Sequence, residues 1–339
     1  MARRWTQRPD GSTWGDWGDD DELGALNLID DAAVRRGVAA VSDGLRFGLS
    51  LPLDLPGGQA LNPRRKPPVI SPTVGAQGPR YNQRQSVELP GVVDVVTDDH
   101  VSMHTQYSTQ WDALAHFGAV FDPDGEGEAV VYYNGFRADR DVILAPDGDG
   151  WSSRAERGSI ASLARHPVQT RGVLVDLLHH LGPERRSVDY ETLRGILDAD
   201  GIEIAAGDVL LVRSGFAGEL LRMNGQPDPE RLRALGADLD GSDPALRDWV
   251  AASGLAAIAA DTYAVESFDE SRVDPATGSR LPLHQLCIFK LGMPLGELWY
   301  LDELADALRE RGRSNFLLTA PSLYLRGAVG SPVTPVATI

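Results

Sequence analysis

The chain has 339 residues and a formal net charge of −17, from 32 Lys and Arg against 49 Asp and Glu. Hydrophobic residues make up 42% and charged residues 24%, a balance typical of a globular protein with a sizeable core. Negative charge of this size repels phosphate groups, so nucleic acids and anionic membranes are excluded as first candidate partners.

The cysteine content and the hydropathy pattern indicate a cytoplasmic protein. Cys287 is the only cysteine, so neither an internal disulfide nor a cysteine zinc cluster can form. The longest apolar run, residues 254–260, is far shorter than the roughly 20 residues that span a bilayer. Arg3 and Arg4 are followed by polar and acidic residues, where a twin-arginine export signal needs an apolar segment. We therefore expect a cytoplasmic protein with no membrane partner.

Residues 1–40 are predicted to form an N-terminal arm. Trp14 and Trp17 precede four consecutive acidic residues, and the segment has no sustained period. We expect these tryptophans to pack onto the body of the protein or onto a second subunit. Asp30 predicts the N-cap of a short helix over residues 31–38. Residues 41–339 are predicted to form one domain, because no linker or internal repeat divides them.

Between residues 45 and 112 the pattern indicates strands and one loop. Residues 45–53 and 101–112 alternate apolar and polar side chains, as half-buried strands do. Residues 92–96 are a short apolar run that predicts another strand. Residues 63–78 are rich in proline and are predicted to be a loop.

The second half of the chain predicts a buried sheet with helices between its strands. Three short runs of Val, Leu, Ile and Ala are bounded by glycine, as buried central strands tend to be: residues 172–177, 208–213 and 255–260. Helices are predicted over residues 190–199, with Ser187 or Asp189 as the cap, and over residues 244–252 and 301–311. The fold class is therefore mixed α/β with a buried sheet.

Several signatures of nucleotide and nucleophile chemistry are absent. The chain has no glycine-rich phosphate loop ending in Lys-Ser/Thr, no G-x-G-x-x-G after a strand and no G-x-S-x-G elbow. Ser214 follows a predicted strand but lacks the glycine two positions before it. Cys287 follows His284 by three residues, and we interpret it as a small buried hydrophobic residue.

The stretch from His104 to His116 concentrates side chains that can bind a metal or exchange protons. If residues 104–112 are extended, alternation places five polar side chains on one face: His104, Gln106, Ser108, Gln110 and Asp112. His116 follows after one short turn. The alternative is the solvated face of an edge strand, although such faces seldom avoid Lys, Arg, Glu and Thr so completely.

Two further candidates, His284 and Glu297, lie near the C-terminus. Taken singly, a histidine among apolar residues is usually a core residue, and a glutamate before a helix is usually favoured by the helix dipole. Together with Asp112 and His116, they complete a set of nitrogen and oxygen ligands typical of metal hydrolases.

These residues resemble the cyclase family, which includes bacterial kynurenine formamidases and isatin hydrolase. Residues 108–116, Ser-Thr-Gln-Trp-Asp-x-x-x-His, are similar to the family motif H-x-G-T-H-x-D-x-P-x-H. Other segments match in the same order: residues 14–27, 133–135, 172–176, 207–215 and 284–297. The resemblance covers roughly residues 14–325.

The resemblance implies a swivelling β/β/α fold with a central mixed sheet, assembled as a homodimer or homotetramer. It also implies that two histidines and the aspartate of the motif bind a divalent metal. The last histidine acts as acid/base or joins a second metal site with a downstream histidine and glutamate. The corresponding residues of this chain are Asp112, His116, His284, Glu297 and, in place of the first two histidines, Gln106 and Gln110.

The two glutamines leave three arrangements open. An amide oxygen is a weak, hard ligand that suits calcium, manganese or magnesium better than zinc. The site could hold such a metal through the two glutamines and Asp112. It could keep only the site built from Asp112, His116 and the downstream pair, or it could lack metal and use Asp112, His116 and Glu297 as an acid/base set. His104 could also replace a lost imidazole.

The resemblance and the residues together predict a hydrolase of a small amide, lactam or lactone. His116 is the expected general acid/base, supported by Asp112 and Glu297, and the expected cofactor is a divalent metal, manganese or zinc. An apolar wall of Tyr107, Trp111 and Phe117 would favour a cyclic or aromatic substrate. The alternatives are a metal-independent lyase or isomerase that uses the same residues, or a scaffold that binds a small molecule without catalysis.

Overall fold

The computed structural model describes residues 4–267, 269, 271 and 273–339. Its strands are β1 (Arg46–Gly48), β2 (Val69–Pro72), β3 (Val74–Gly75), β4 (Gly78–Pro79), β5 (Gln83–Arg84), β6 (Val95–Val96), β7 (Asp99–Ser102), β8 (Gln110–Asp112), β9 (Ala119–Phe121), β10 (Ala129–Val131), β11 (Val142–Asp147), β12 (Gly150–Ala155), β13 (Gln169–Asp176), β14 (Arg186–Val188), β15 (Val209–Arg213), β16 (Ala237–Leu239), β17 (Ala257–Ala260), β18 (Leu295–Glu297), β19 (Asn315–Thr319), β20 (Gly330–Pro332) and β21 (Val336–Thr338).

The α-helices are α1 (Asp31–Ala39), α2 (Ala161–Arg165), α3 (Leu177–Leu181), α4 (Tyr190–Ala199), α5 (Phe216–Met223), α6 (Pro229–Arg233), α7 (Pro244–Ala252), α8 (Pro282–His284) and α9 (Asp302–Glu310). Short 3₁₀ helices cover Gly24–Leu28, Gln85–Val87 and Tyr133–Gly135. A π-helical segment, Gln285–Lys290, continues α8. Among the described residues, no helix is long and apolar enough to cross a bilayer.

Nine strands form one mixed sheet in the order β1-β21-β19-β13-β15-β17-β18-β8-β20. The four strands from β13 to β18 run parallel to one another, and their neighbours on both sides are antiparallel. β15 and β17 are buried throughout, as expected for parallel strands that are covered on both faces. The expected mixed α/β class with a buried sheet is therefore confirmed.

The predicted helices form, and predicted side-chain caps mark the start of two of them. Asp30 accepts a hydrogen bond from the Ala33 backbone N–H (2.8 Å), which caps α1. Asp189, not Ser187, caps α4 by accepting from the Thr192 backbone N–H (2.9 Å). Residues 244–252 form α7 as predicted, and the third predicted helix is α9.

Four predictions for the first third of the chain are wrong in extent. Residues 45–53 contain only the short strand β1, residues 92–96 contain only β6, and residues 63–78 contain β2 and β3 as well as loop. Residues 101–112 are not one strand, because β7 ends at Ser102 and β8 begins at Gln110. Between them the chain turns, and the Tyr107 backbone N–H donates to the His104 carbonyl (3.2 Å). Residues 107–112 are all buried rather than alternating.

The N-terminal arm packs onto the body of the molecule. Trp14 is fully buried, and its Nε1 donates to the Phe289 carbonyl (2.8 Å) in the π-helical segment. Its ring also lies 5.2 Å from the Phe289 ring in an edge-on arrangement. We expected these tryptophans to pack either onto the body of the protein or onto a second subunit. Trp14 packs onto the body of its own chain.

Residues 67–102 behave differently from the arm. They form three short two-stranded ribbons, β2 with β7, β3 with β4, and β5 with β6. None of these residues is buried. Nine of their large apolar side chains are exposed: Val69, Ile70, Val74, Tyr81, Val87, Leu89, Val93, Val95 and Val101.

Candidate active site

The candidate site is built on the pairing of β8 with β18. Gln110 and Glu297 are direct partners in the antiparallel register, and Asp112 lies two residues further along β8. Since side chains alternate along a strand, Gln110 and Asp112 share one face of β8. Trp111 points to the other face, where its ring packs against Trp299 with centroids 4.9 Å apart. Core packing of Trp111 therefore turns its two polar neighbours toward the site.

Three buried side chains form a group that can hold a metal ion. Asp112, His284 and Glu297 each offer one ligand atom, and these atoms lie within 4.8 Å of one another. The Gln110 amide joins the group, because its Nε2 donates to Glu297 Oε2 (2.7 Å). This group brings together the downstream pair and the motif aspartate, as the sequence suggested.

The oxygen atoms of this group are not satisfied by the protein. Gln110 Oε1 and Asp112 Oδ2 are buried and have no hydrogen-bond partner. A buried acceptor without a partner costs about 1–3 kcal/mol, and more when it is charged. Together with the His284 imidazole they provide the hard oxygen and borderline nitrogen donors that divalent metals use. The residues present therefore fit a divalent metal ion.

His284 is oriented by Glu266, a residue that the sequence analysis did not identify. The Nδ1–H of His284 donates to Glu266 Oε1 (2.8 Å), and the backbone N–H groups of Leu283 and His284 donate to the same carboxylate. Nε2 consequently faces Glu297, with Oε1 at 3.4 Å. A carboxylate behind a histidine in this way fixes the tautomer of a metal ligand. No local motif marks Glu266, because it reaches His284 only through the fold.

The charges of the group do not balance. Burial lowers the pKa of His284, but its hydrogen bonds with Glu266 and Glu297 outweigh burial and raise the pKa to about 10. Burial and the charge of Asp112 together raise the pKa of Glu297. Three carboxylates thus face one imidazolium, and the excess negative charge favours binding of a cation.

His116 lies beside this group and remains accessible. Its Nε2 is 3.8 Å from Asp112 Oδ1, and its side chain is 24% exposed. Gln106 Nε2 donates to His116 Nδ1 (2.8 Å), while the Thr105 hydroxyl donates to Gln106 Oε1 (3.0 Å). Burial lowers the pKa of His116, although the charge of Asp112 opposes this effect. His116 is therefore placed to exchange protons with a molecule bound next to Asp112.

Two more residues near the site were not found from the sequence: Arg65, beside Gln106, and Tyr263, beside Arg65. Arg65 Nη1 donates to the Gln106 carbonyl (2.6 Å), and its guanidinium lies 5.9 Å from the Tyr263 ring. The Tyr263 hydroxyl accepts from Asn62 Nδ2 (2.7 Å). Arg65 belongs to the segment that the sequence indicated only as a proline-rich loop, so no pattern could have placed it here.

Several sequence candidates lie outside the group. His104 is exposed, and its Nδ1 accepts from the Lys66 backbone N–H (3.2 Å). The Ser108 hydroxyl donates to the Pro52 carbonyl (3.3 Å), and Trp111 lies in the core. Of the proposed apolar wall, Phe117 does flank the site, with its ring centroid 5.6 Å from that of His284. Cys287 is buried, as expected.

A cavity of about 240 Å³ lies next to the group. Tyr263 and Glu266 line it, and they also reach the group, because Tyr263 lies within range of the charge of Glu297 and Glu266 is bonded to His284. Its other polar lining residues are Arg185, Arg233, Asp238 and Thr262, and its apolar ones include Leu61, Phe216, Leu232 and Leu235.

Comparisons with known proteins identify the family and the fold. A family model named Cyclase, described as "Putative cyclase", matches residues 47–267. A solved structure of a novel cyclase is 27% identical, with a TM-score of 0.74, over 97% of this chain and 99% of that chain. No curated protein matches this chain.

Two solved isatin hydrolases share the fold. Isatin hydrolase A from Labrenzia aggregata is 15% identical, with a TM-score of 0.55, over 88% of this chain and 94% of that chain. Isatin hydrolase A from Ralstonia solanacearum is also 15% identical, with a TM-score of 0.55, over 90% of this chain and 95% of that chain. The expected fold, with its central mixed sheet, is thus confirmed. Since the family model covers more than half of the sequence, the chain belongs to the cyclase family.

Proposed function

We propose that this protein is a metal-dependent hydrolase of a small cyclic or aromatic amide, lactam or lactone. The observation that carries the proposal is the buried group of Asp112, His284 and Glu297, with unpartnered oxygen atoms on Asp112 and Gln110. A protein without catalytic activity has no need to bury three carboxylates, those of Asp112, Glu266 and Glu297, around one imidazole. The fold shared with isatin hydrolases supports the same reaction class.

Four side chains would hold the metal: Asp112, His284 through Nε2, Glu297, and Gln110 through Oε1. A bound divalent metal, manganese or zinc, supplies Lewis acidity, which lowers the pKa of water and polarises a carbonyl group. Glu266 keeps the Nε2 of His284 turned toward the group by accepting the Nδ1 proton.

His116 would handle the protons of the reaction. In the first step a water oxygen bonds to the substrate carbonyl carbon, the π electrons of the carbonyl move onto its oxygen, and His116 Nε2 takes the water proton. In the second step the carbonyl re-forms, the bond from its carbon to nitrogen or oxygen breaks, and Nε2 returns the proton to the leaving atom. The lowered pKa of His116 keeps the ring neutral at pH 7 before the first step.

Gln106 suits this role because a primary amide carries both a donor and an acceptor. Its amide nitrogen faces His116 Nδ1 in the structure, which corresponds to a neutral ring with the proton on Nε2. When the ring has exchanged this proton and carries it on Nδ1 instead, a half-turn of the amide presents the amide oxygen to Nδ1–H, and Nε2 is free to accept a proton.

The test is metal content by mass spectrometry on protein purified without chelator or affinity tag. We expect about one divalent ion per chain, lost in Asp112→Ala and retained in Asp124→Ala, which removes a carboxylate paired with Arg137 outside the group. If the wild type holds no ion after manganese and zinc are supplied, the metal-dependent mechanism is refuted. Once a substrate is found, oxygen from labelled water must enter the product.

A further inference from the structure

The cavity beside the metal group lies at the edge of the sheet where ligands of α/β proteins bind. Phe216 follows the carboxyl end of β15, and residues 262–264 follow the carboxyl end of β17. Glu297, at the end of β18, belongs to the neighbouring strand of the same edge. Tyr263 forms a wall of the cavity and lies close enough to Glu297 to feel its charge. Tyr263 and Glu266 therefore connect this cavity to the group, Tyr263 through Glu297 and Glu266 through its hydrogen bond with His284.

One side of the cavity is apolar. Phe216 and Leu232 are almost fully buried and pack in one hydrophobic cluster, with Leu61 and Leu235 against it. Such a surface accepts a ring or a short aliphatic chain.

The other side of the cavity carries two arginines and two carboxylates, and one of these four groups has no partner. Arg185 is paired with Asp238, with Nη2 and Oδ2 3.3 Å apart. The Glu266 carboxylate accepts hydrogen bonds from His284 and from the Leu283 backbone N–H. Arg233, the last residue of α6, makes no hydrogen bond or ion pair with any residue that the structure describes. The Arg233 guanidinium is therefore the charged group of the lining that is left to bind an anion.

Asp238 balances Arg185 only in part. Burial raises the pKa of Asp238 to about 6, against the opposing effect of Arg185. Near pH 6 Asp238 is therefore partly protonated, and an anionic group of a ligand would find a partner in Arg185 as well as in Arg233.

We propose that this cavity binds a carboxylate substituent of the substrate, with Arg233 as its principal partner and Arg185 as a second. The inference rests on the proposed function and adds a substrate class to it. The substrate is a small acid whose apolar body packs on Phe216 and Leu232, while its amide or ester carbonyl lies at the metal group.

Equilibrium binding tests this without any turnover. Isothermal titration calorimetry on the full-length protein as purified would use benzoate and its neutral analogue benzamide as probes. We expect Arg233→Gln to weaken benzoate binding by about tenfold and to leave benzamide binding unchanged, because only benzoate makes the charge-assisted contact. Arg231→Gln is the matched control, since Arg231 lies on the same helix but pairs with Glu219 (2.5 Å).

Three results would overturn the inference: no measurable benzoate binding, equal benzoate affinity in wild type and Arg233→Gln, or the same loss in Arg231→Gln. A carboxylate can also bind a metal, so Asp112→Ala is titrated in parallel. If Asp112→Ala abolishes benzoate binding while Arg233→Gln does not, the carboxylate binds at the metal group and the inference is wrong. A protein that binds benzoate through Arg233 but holds no metal would keep this inference and refute the proposed function.

Discussion

At the scale of single residues, the two glutamines of the motif have different partners. Gln110 lies on β8 and donates to Glu297, so its amide oxygen remains inside the buried group. Gln106 lies in the turn before β8 and contacts His116. Gln110 is thus a candidate metal ligand, whereas Gln106 orients the His116 ring.

The sequence identified Asp112, His116, His284 and Glu297 as candidates, but it could not assign the glutamines. Alternation over residues 104–112 would have placed Gln106 and Gln110 on one face, and the turn at residues 104–107 breaks that alternation. Glu266 and Arg65 were missed because each reaches the site through long-range contacts, Glu266 to His284 and Arg65 to Gln106. Neither contact leaves a local pattern.

Replacing His116 with Ala should lower kcat by about a hundredfold or more, because proton transfer loses its positioned side chain. Metal content should stay at the wild-type level, since the grouped ligand atoms belong to Asp112, His284 and Glu297. Steady-state kinetics and mass spectrometry measure both. A folded His116→Ala variant with full activity would remove His116 from the mechanism.

At the scale of elements, local signals and tertiary contacts predicted different parts of the fold. The bounds of α4 and α7 agree with the sequence because Asp189 and Asp243 cap them through nearby backbone groups. The start of β8 could not be predicted in this way. It depends on pairing with β18, about 190 positions away in sequence, and with β20, about 220 positions away.

Two glycines on the strands that pair with β8 differ in what surrounds them, so that replacing one should affect activity and replacing the other should affect stability. A Cβ on Gly330 would lie 2.6 Å from Gln106 Nε2, at the end of a side chain that can move. A Cβ on Gly296 would lie 2.8 Å from the Ala259 Cβ and 2.7 Å from the Trp299 indole, which are fixed in the core.

Gly330→Ala should therefore displace Gln106 from His116 and reduce kcat with little loss of stability. Gly296→Ala should lower the free energy of unfolding by about 1–3 kcal/mol, as overpacking of a core does. Urea unfolding and steady-state kinetics on both variants are the measurements. Equal losses of stability in the two variants would show that the Gln106 side chain is not free to move.

At the scale of the whole molecule, the ribbons of residues 67–102 are the part that the body does not cover. They expose nine large apolar side chains, whereas the N-terminal arm buries its Trp14. Exposed apolar surface of this extent on one segment is typical of an interface. The resemblance to the cyclase family led us to expect a homodimer or homotetramer, and a second copy of the chain is the partner that fits this expectation.

Light scattering after size exclusion should therefore give a mass of two or four chains. Introducing charge on the ribbons with Ile70→Glu and Val93→Glu should shift the mass toward one chain, because each buries a charge in the interface. Leu144→Glu is the control, since Leu144 is similarly exposed but lies on the hairpin of β11 and β12. A wild-type protein of single-chain mass at micromolar concentration would contradict this prediction.

The same ribbons are where the backbone can be cut with the least effect on the sheet. A cut within residues 67–102 would separate residues before the ribbons from residues after them. The earlier piece contributes β1, which pairs with β21, and Trp14, which is bonded to Phe289. In the single-chain form expected of the Ile70→Glu and Val93→Glu variants, where the ribbons are uncovered, limited proteolysis should therefore yield two fragments on a denaturing gel that migrate as one species on a native gel. The two pieces, expressed separately, should recombine into an assembled nine-stranded sheet.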